Sequence, residues 1–145
     1  MRDYAIKNHL IDKDGPHHPA TAYSDEVDIK MDTEMTRRLQ EESKLAIEAD
    51  LAGFMARDIP HVLRILLVCD DILRIDRLVN RDHMTVDEAK QHIKNRERIN
   101  TEKWMRLYGK YQYWDPKYYT LVINTYRNSP HETLNQVLRE LKIEG

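Results

Sequence analysis

The stretch HVLRILLVCDDILRIDRLVNR, residues 61–81, decides the fold that this sequence predicts. It opens with a nearly continuous apolar run from Val62 to Cys69, which is typical of a strand buried on both faces of a parallel sheet. From Asp71 the apolar residues change to helical spacing, with Ile72 and Val79 on one side. We therefore predict a buried strand followed immediately by a helix.

Three arginines lie on the other side of that predicted helix. Arg74, Arg77 and Arg81 stand at positions i, i+3 and i+7 and so share one face. Ligands of open parallel sheets bind beyond the carboxyl ends of the strands, and guanidinium groups suit phosphate. The alternative is a solvated cationic face that pairs with nearby carboxylates. The spacing alone leaves both interpretations open.

Length and composition restrict the class of protein. The chain has 145 residues, a hydrophobic fraction of 41%, a charged fraction of 33% and a net charge of −2, which predicts one polar globular domain. With Cys69 as the one cysteine, a disulfide framework is excluded and a reducing cytoplasm is expected. The sequence shows no signal peptide, and its apolar runs are too short for a membrane span, so no membrane partner is expected.

Strands alternate with helices along the chain, which predicts an α/β fold with a parallel sheet. We expect a helix over 24–43 and a short strand within 44–50 before a small helix at 51–56. A second strand should lie at 120–124. Two capping boxes begin further helices, at Thr85–Glu88 and Ser129–Glu132, and Gly109 should end the first of them. Residues 1–43 would form a helical part, 44–82 and 119–145 the sheet core, and 83–118 a lid-like segment.

Two groups of residues, one aromatic and one of histidines, are candidates for ligand binding. Seven aromatic residues between Trp104 and Tyr119 are interleaved with basic residues, as in proteins that bind single-stranded nucleic acid. A hydrophobic cluster beneath a lid is the favoured interpretation, so no nucleic-acid partner is expected. The adjacent His17 and His18 stand in a Gly/Pro loop without the four ligands that a zinc site needs, and we predict no metal site there.

Three motifs in order resemble the nucleoside monophosphate kinases, and most closely the archaeal-type cytidylate kinases. Residues 47–56, IEADLAGFMA, resemble the family's I-E-G-R-L-A-G-W-M-A. Residues 75–81, IDRLVNR, resemble the D-R-I-V-x-R that begins the lid of adenylate kinases. Residues 121–130, LVINTYRNSP, are similar to L-V-I-N-T-x-R-x-S-P. The resemblance implies a P-loop-kinase-like parallel sheet flanked by helices, and transfer of phosphate from ATP with Mg²⁺ to CMP or dCMP.

The resemblance also implies residue roles. Arg77 would lie against the adenine of ATP, Arg81 would reach its phosphates, and Arg127 would belong to the loop beside the adenine. Arg96 and Arg98 would close over the transferring phosphoryl group, where positive charge and positioning carry the catalysis.

For the acceptor nucleotide the resemblance implies three further residues. Arg2 falls where the family has a phosphate-clamping arginine. Asp28 and Asp32 match acidic positions in the segment that covers the acceptor.

The sequence departs from the family where phosphate binding is concerned. None of its four glycines has the spacing G-x-x-x-x-G-K-[ST], whose backbone amides would cradle phosphates. Asp50 stands where the family has an arginine, and Thr120 where it has an aspartate. Because the phosphate-loop strand is missing, we expect a gap in the sheet. The chain would be a fragment of a longer kinase, or it would repair the gap by re-pairing its strands or by pairing with another copy or a partner chain. The alternative function is a non-catalytic, kinase-like binding or assembly module.

Overall fold

The computed structural model describes residues 23–142 together with Lys7. The elements follow in this order: α1 (Asp25–Glu41), α2 (Ala52–Met55), β1 (Ile65–Val68), α3 (Asp71–Asp82), α4 (Val86–Tyr108), a 3₁₀ turn (Pro116–Tyr118), β2 (Leu121–Asn124) and α5 (Pro130–Glu140).

The described residues contain a two-stranded parallel sheet. Ile65 of β1 pairs with Leu121 of β2, and Val68 pairs with Asn124. The chain leaves β1 through α3 and α4 before it returns to β2, as a parallel pair requires. The prediction of an α/β fold with a parallel sheet flanked by helices is confirmed, and it agrees with a P-loop-kinase-like fold.

The predicted helix starts are confirmed because their signals are local. Ser24 caps α1 and accepts a hydrogen bond from the backbone N–H of Val27 at 3.3 Å. Thr85 with Glu88, and Ser129 with Glu132, form complete capping boxes at the starts of α4 and α5. Each satisfies backbone donors that the helix itself leaves unpaired.

Two apolar clusters hold the helices against the loops. The first comprises Met35 and Leu39 of α1 with Ala56 and Ile59. The second is centred on Phe54, which is 1% exposed and makes ring contacts with three tyrosines that follow α4: Tyr111, Tyr113 and Tyr118. The prediction that the aromatic segment is a hydrophobic cluster is therefore confirmed.

Gly53 is required by close packing. A Cβ at this position would lie 2.6 Å from Cε1 of the Tyr119 ring. That ring is fixed, because the Tyr119 hydroxyl donates to the carbonyl oxygen of Tyr113 at 2.7 Å. The motif around Gly53 thus has a packing reason in this chain.

The prediction of a strand within residues 44–50 is wrong. The segment is extended and its side chains alternate, with Leu45, Ile47 and Ala49 half-buried and the residues between them exposed. Among the described residues, however, no strand pairs with it. A strand requires a neighbour for its backbone groups, and β1 does not supply one.

The sequence also predicts burial of β1 on both faces and, from helical spacing, a core stripe on α5 at Leu134, Val137, Leu138 and Leu141. Both predictions are wrong. Leu66 is buried, yet its pair Val122 on the same face is 41% exposed; Ile123 is buried, yet its pair Leu67 is 56% exposed. On α5, Leu134 is 53% exposed. The described elements therefore cover each sheet face over one strand and leave it open over the other.

Candidate functional site

The carboxyl ends of β1 and β2 lie side by side because the strands are parallel and in register. Arg77 of α3 reaches this edge. Its Nη2 donates to the carbonyl oxygen of Thr125 at 3.2 Å, and its Nη1 lies 3.4 Å from the Thr125 hydroxyl and 3.8 Å from the Cys69 sulfur. Thr125 in turn donates to the carbonyl oxygen of Val68 at 3.2 Å. One guanidinium is thus held where both strands end.

The other two arginines of the α3 face have different partners. Arg74 bridges Asp71, at 2.9 Å, and Glu97 of α4, at 2.6 Å, so it joins α3 to α4. Arg81 forms two hydrogen bonds of 2.7 Å with Asp82, and its side chain is 64% exposed. Arg74 and Arg81 therefore agree with the interpretation of a cationic face that pairs with carboxylates. Arg77 agrees with the other interpretation, since it lies at the sheet edge where ligands of parallel sheets bind.

Arg96 and Arg98 leave α4 in different directions, as residues two apart on a helix must. Arg96 lies 3.7 Å from Asp50 and lines the large cavity described below. Arg98 pairs with Glu102 of its own helix at 3.1 Å. Arg127 is exposed in the loop after β2. Arg2 lies outside the described residues.

Asp28 and Asp32 join α1 to α4. The Nζ of Lys103, which is 3% exposed, lies 2.5 Å from Asp28 and donates to the carbonyl oxygen of Tyr23 at 2.8 Å. The hydroxyl of Tyr108 donates to Asp32 at 2.5 Å. Burial raises the pKa of the Asp32 carboxyl, against the opposing effect of the Tyr108 hydrogen bond. Burial and the hydrogen bond to Asp32 also raise the pKa of Tyr108.

Sequence reasoning missed Lys103 and the buried Asn100, which stand three residues apart on one face of α4. The Oδ1 of Asn100 is buried without a hydrogen-bond partner. The available signal was their spacing: residues three apart on α4, like Asp28 and Asp32 four apart on α1, lie on one helix face. That pattern is compatible with packing of the two helices but does not specify it.

A cavity of about 1460 Å³, which we call the trough, lies beside the sheet. The extended segment 44–50 and residues 61–67 both line it, and α4 contributes Arg96 and Trp104. Val137 and Leu141 of α5 reach it as well. The trough therefore occupies the region where a strand between segment 44–50 and β1 was expected to be missing.

The described residues form no metal-binding cluster of their own. Within residues 23–142, no group of three or more His, Cys, Asp or Glu side chains is arranged to hold a metal. Nor does the sequence contain a glycine-rich loop that could cradle the phosphates of ATP. The chain supplies cations at the edge of the sheet, but not the phosphate cradle that ATP with Mg²⁺ would require.

Comparison with known proteins identifies the family. The model of the cytidylate kinase-like family matches residues 3–127. The chain belongs to this family. It is 32% identical to a cytidylate kinase of Sulfolobus acidocaldarius over 78% of this chain and 61% of that protein. It is 35% identical to the cytidylate kinase of Pyrococcus horikoshii, over 70% of this chain and 53% of that one.

The match covers only part of the length of these relatives. The chain spans between about half and three fifths of the length of these cytidylate kinases. No solved structure matches it. In the part of the chain that the structure describes, no helix has the length and apolar character needed to cross a membrane.

Proposed function

We propose that this chain forms the nucleotide-binding part of a cytidylate kinase-type phosphotransferase, which transfers phosphate from ATP to CMP or dCMP in the cytoplasm. The observation that carries the proposal is the position of Arg77. Its guanidinium is held by Thr125 between the ends of two parallel strands, where ligands of such sheets bind. Membership of the cytidylate kinase-like family supports the same function.

On the ATP side, Arg77 would contact the nucleotide first, since it already lies at the sheet edge. Arg127 is exposed three residues after the end of β2, and Arg81 is exposed near the end of α3. The pair between Arg81 and Asp82 is at the surface, where such pairs contribute about 0–1 kcal/mol. A phosphate group could therefore take the place of Asp82 at little cost.

Over the transferring group, Arg96 is the better placed of the two α4 arginines. It lines the trough, and its contact with Asp50 at 3.7 Å is long for an ion pair. Arg98 would have to leave Glu102 and turn toward the site. Both would act by stabilising negative charge and not by exchanging protons.

On the acceptor side, Asp28 and Asp32 line the trough from α1. Their partners Lys103 and Tyr108 already fix their positions. They would shape the acceptor site in two ways, as direct acceptors for the nucleotide and as the link that keeps α1 against α4. Arg2 is proposed as the clamp of the acceptor phosphate on the family resemblance alone.

Because no phosphate cradle is present in the sequence, we expect nucleotide binding by this chain without rapid transfer. Binding of ATP and of CMP can be measured by calorimetry with Arg77→Ala. A charge-assisted hydrogen bond contributes about 1.5–3 kcal/mol, so ATP affinity should fall about tenfold or more while CMP affinity is retained. Arg139→Ala is the matched control, since Arg139 is exposed on α5. Equal ATP affinity of Arg77→Ala and the unmodified chain would contradict the proposal.

A second candidate function, a non-catalytic binding module, is favoured by Asp50. This carboxylate lies beside Arg96 in the trough and would repel phosphate there. The two functions differ in a simple measurement. A chain that binds neither ATP nor CMP at millimolar concentration would support the module, whereas formation of ADP and CDP would establish the enzyme.

A further inference from the structure

Thr125 follows the last residue of β2 and completes the pairing of the two strands. Its backbone N–H donates to the carbonyl oxygen of Val68 at 2.8 Å, and its hydroxyl donates to the same oxygen at 3.2 Å. Val68 is the last residue of β1. Two donors of one residue thus converge on a single carbonyl of the neighbouring strand, and the second of them fixes the orientation of the Thr125 side chain.

Both oxygens of Thr125 also face the tip of Arg77. The carbonyl oxygen accepts from Nη2 at 3.2 Å, and the hydroxyl oxygen lies 3.4 Å from Nη1. Because the hydroxyl gives its hydrogen to Val68, its lone pairs are available to accept from the guanidinium. Each terminal nitrogen is therefore matched by one oxygen of the same residue. Two contacts fix the plane of the guanidinium, whereas a single contact would leave it free to turn.

Arg77 depends on these contacts more than the other arginines of its helix face depend on theirs. Arg74 and Arg81 form ion pairs with carboxylates, but no carboxylate within residues 23–142 forms one with Arg77. The remaining contact of Arg77 is the Cys69 sulfur at 3.8 Å, which is a weak acceptor. Holding a long side chain costs rotamer freedom, so contacts that hold it before a ligand arrives lower the cost of binding that ligand.

We propose that the Thr125 hydroxyl is a positioning group of the nucleotide site, which acts through Arg77. Together with the Thr125 carbonyl it fixes the guanidinium at the carboxyl ends of both strands, so that strand pairing and ligand binding share one residue. Thr125 does not need to touch the ligand. The inference rests on the proposed function for the identity of that ligand, ATP, whereas the position of Arg77 is a property of the chain without any ligand.

Three variants separate the hydroxyl from the rest of the residue. Thr125→Val keeps the shape of the side chain but places a methyl group against the guanidinium, whereas Thr125→Ser keeps the hydroxyl. Thr120→Val is the matched control, because the Thr120 hydroxyl lies before the other end of β2, 3.4 Å from the backbone nitrogen of Arg64. Urea unfolding of each variant establishes that it is folded before the positioning of Arg77 is measured.

Cys69, the one cysteine of the chain, reports the position of the guanidinium without a ligand. Its alkylation rate is measured with anionic iodoacetate and with neutral iodoacetamide. Both reagents attack the thiolate, so the ratio of the two rates cancels the thiolate fraction and reports positive charge beside the sulfur. A unit charge about 4 Å away favours an anion about fivefold even at the dielectric constant of water. Arg77→Ala should therefore lower the ratio about fivefold.

The same ratio decides the role of the hydroxyl. Thr125→Val should lower it at least about twofold, since a guanidinium that can turn away loses part of its effect on the anionic reagent. Thr125→Ser and Thr120→Val should keep the ratio of the unmodified chain. An unchanged ratio in Thr125→Val would overturn the proposal, because Arg77 would then keep its place without the hydroxyl. An unchanged ratio in Arg77→Ala would overturn it as well, since the guanidinium would not lie beside Cys69.

ATP affinity, measured by calorimetry, connects the position of Arg77 to binding. Thr125→Val should weaken ATP binding about threefold to tenfold, Thr125→Ser should retain it, and Thr125→Val should have no further effect in an Arg77→Ala background. An equal loss in both backgrounds would contradict the proposal, because Thr125 would then act independently of Arg77. If the unmodified chain binds no ATP, the proposed function fails, while the alkylation ratio still decides whether the hydroxyl positions Arg77.

Discussion

Replacing Lys103 by methionine tests how α1 is held to the rest of the protein. The ammonium group is 3% exposed, lies 2.5 Å from Asp28 and 3.9 Å from Asp25, and donates to the Tyr23 carbonyl. Methionine keeps much of the length of the side chain but removes the charge. Asp28 would then remain partly buried, with 22% of its side chain exposed, and without its cation.

The size of the effect follows from that burial. Removing one partner of a buried ion pair costs about 3–5 kcal/mol. We take the lower end, about 3 kcal/mol, because water reaches part of Asp28. For a chain of this size, each kcal/mol lowers the melting temperature by about 2–4 °C. Lys103→Met should therefore lower the melting temperature by about 6–12 °C.

The assay is urea and thermal unfolding followed by circular dichroism. Lys90→Met is the control, since Lys90 is on the same helix, is 57% exposed and lies 3.9 Å from Asp87; its effect should stay within about 0.5 kcal/mol. Adding Asp28→Asn to Lys103→Met should recover at least about 1 kcal/mol, because no carboxylate is then left without its partner. Similar unfolding free energies for the two lysine variants would refute the reasoning.

Three further predictions concern single positions. Gly53→Ala should cost about 1–3 kcal/mol in chemical unfolding, because its Cβ would meet the fixed Tyr119 ring. Ser129→Ala should cost about 1 kcal/mol, measured in the same way, through the loss of the α5 capping box. The pKa of Asp32 is raised in the folded state by burial, so its ionised form costs stability at neutral pH and this cost disappears as the pH falls through the raised pKa. Asp32→Asn keeps an acceptor for Tyr108, and it should gain stability relative to the unmodified chain at pH 7 and lose that gain toward pH 4, as urea unfolding at both pH values would show.

Helix boundaries could be predicted from the sequence because each depends on residues within one turn. Thr85 and Glu88 are three residues apart, and their capping box needs no information from elsewhere in the chain. The strands at 65–68 and 121–124 were also found, since their apolar runs are short and bounded. Their parallel direction followed from the alternation of strands with helices.

Contacts between elements that are distant along the chain could not be predicted from the sequence. Lys103 and Asp28 are far apart along the chain, and their pairing requires that α1 and α4 pack with those faces together. The acidic residues of α1 had a sufficient local explanation at the start of a helix. A buried role for Asp28 therefore could not be told from a solvated one.

The three arginines of α3 show why a charged face does not define a site. They share one helix face, yet Arg74 is 2.6 Å from Glu97, Arg81 is paired with its neighbour Asp82, and Arg77 alone reaches the strand ends. The difference lies in what each position meets after folding, which depends on α4 and β2 and not on spacing within α3.

Segment 44–50 shows why a strand-like sequence does not by itself make a strand. The sequence favours a strand there, and the half-buried alternation of Leu45, Ile47 and Ala49 shows that the local preference is expressed. Among the described residues, no neighbouring strand offers the backbone groups that would turn that preference into a ladder.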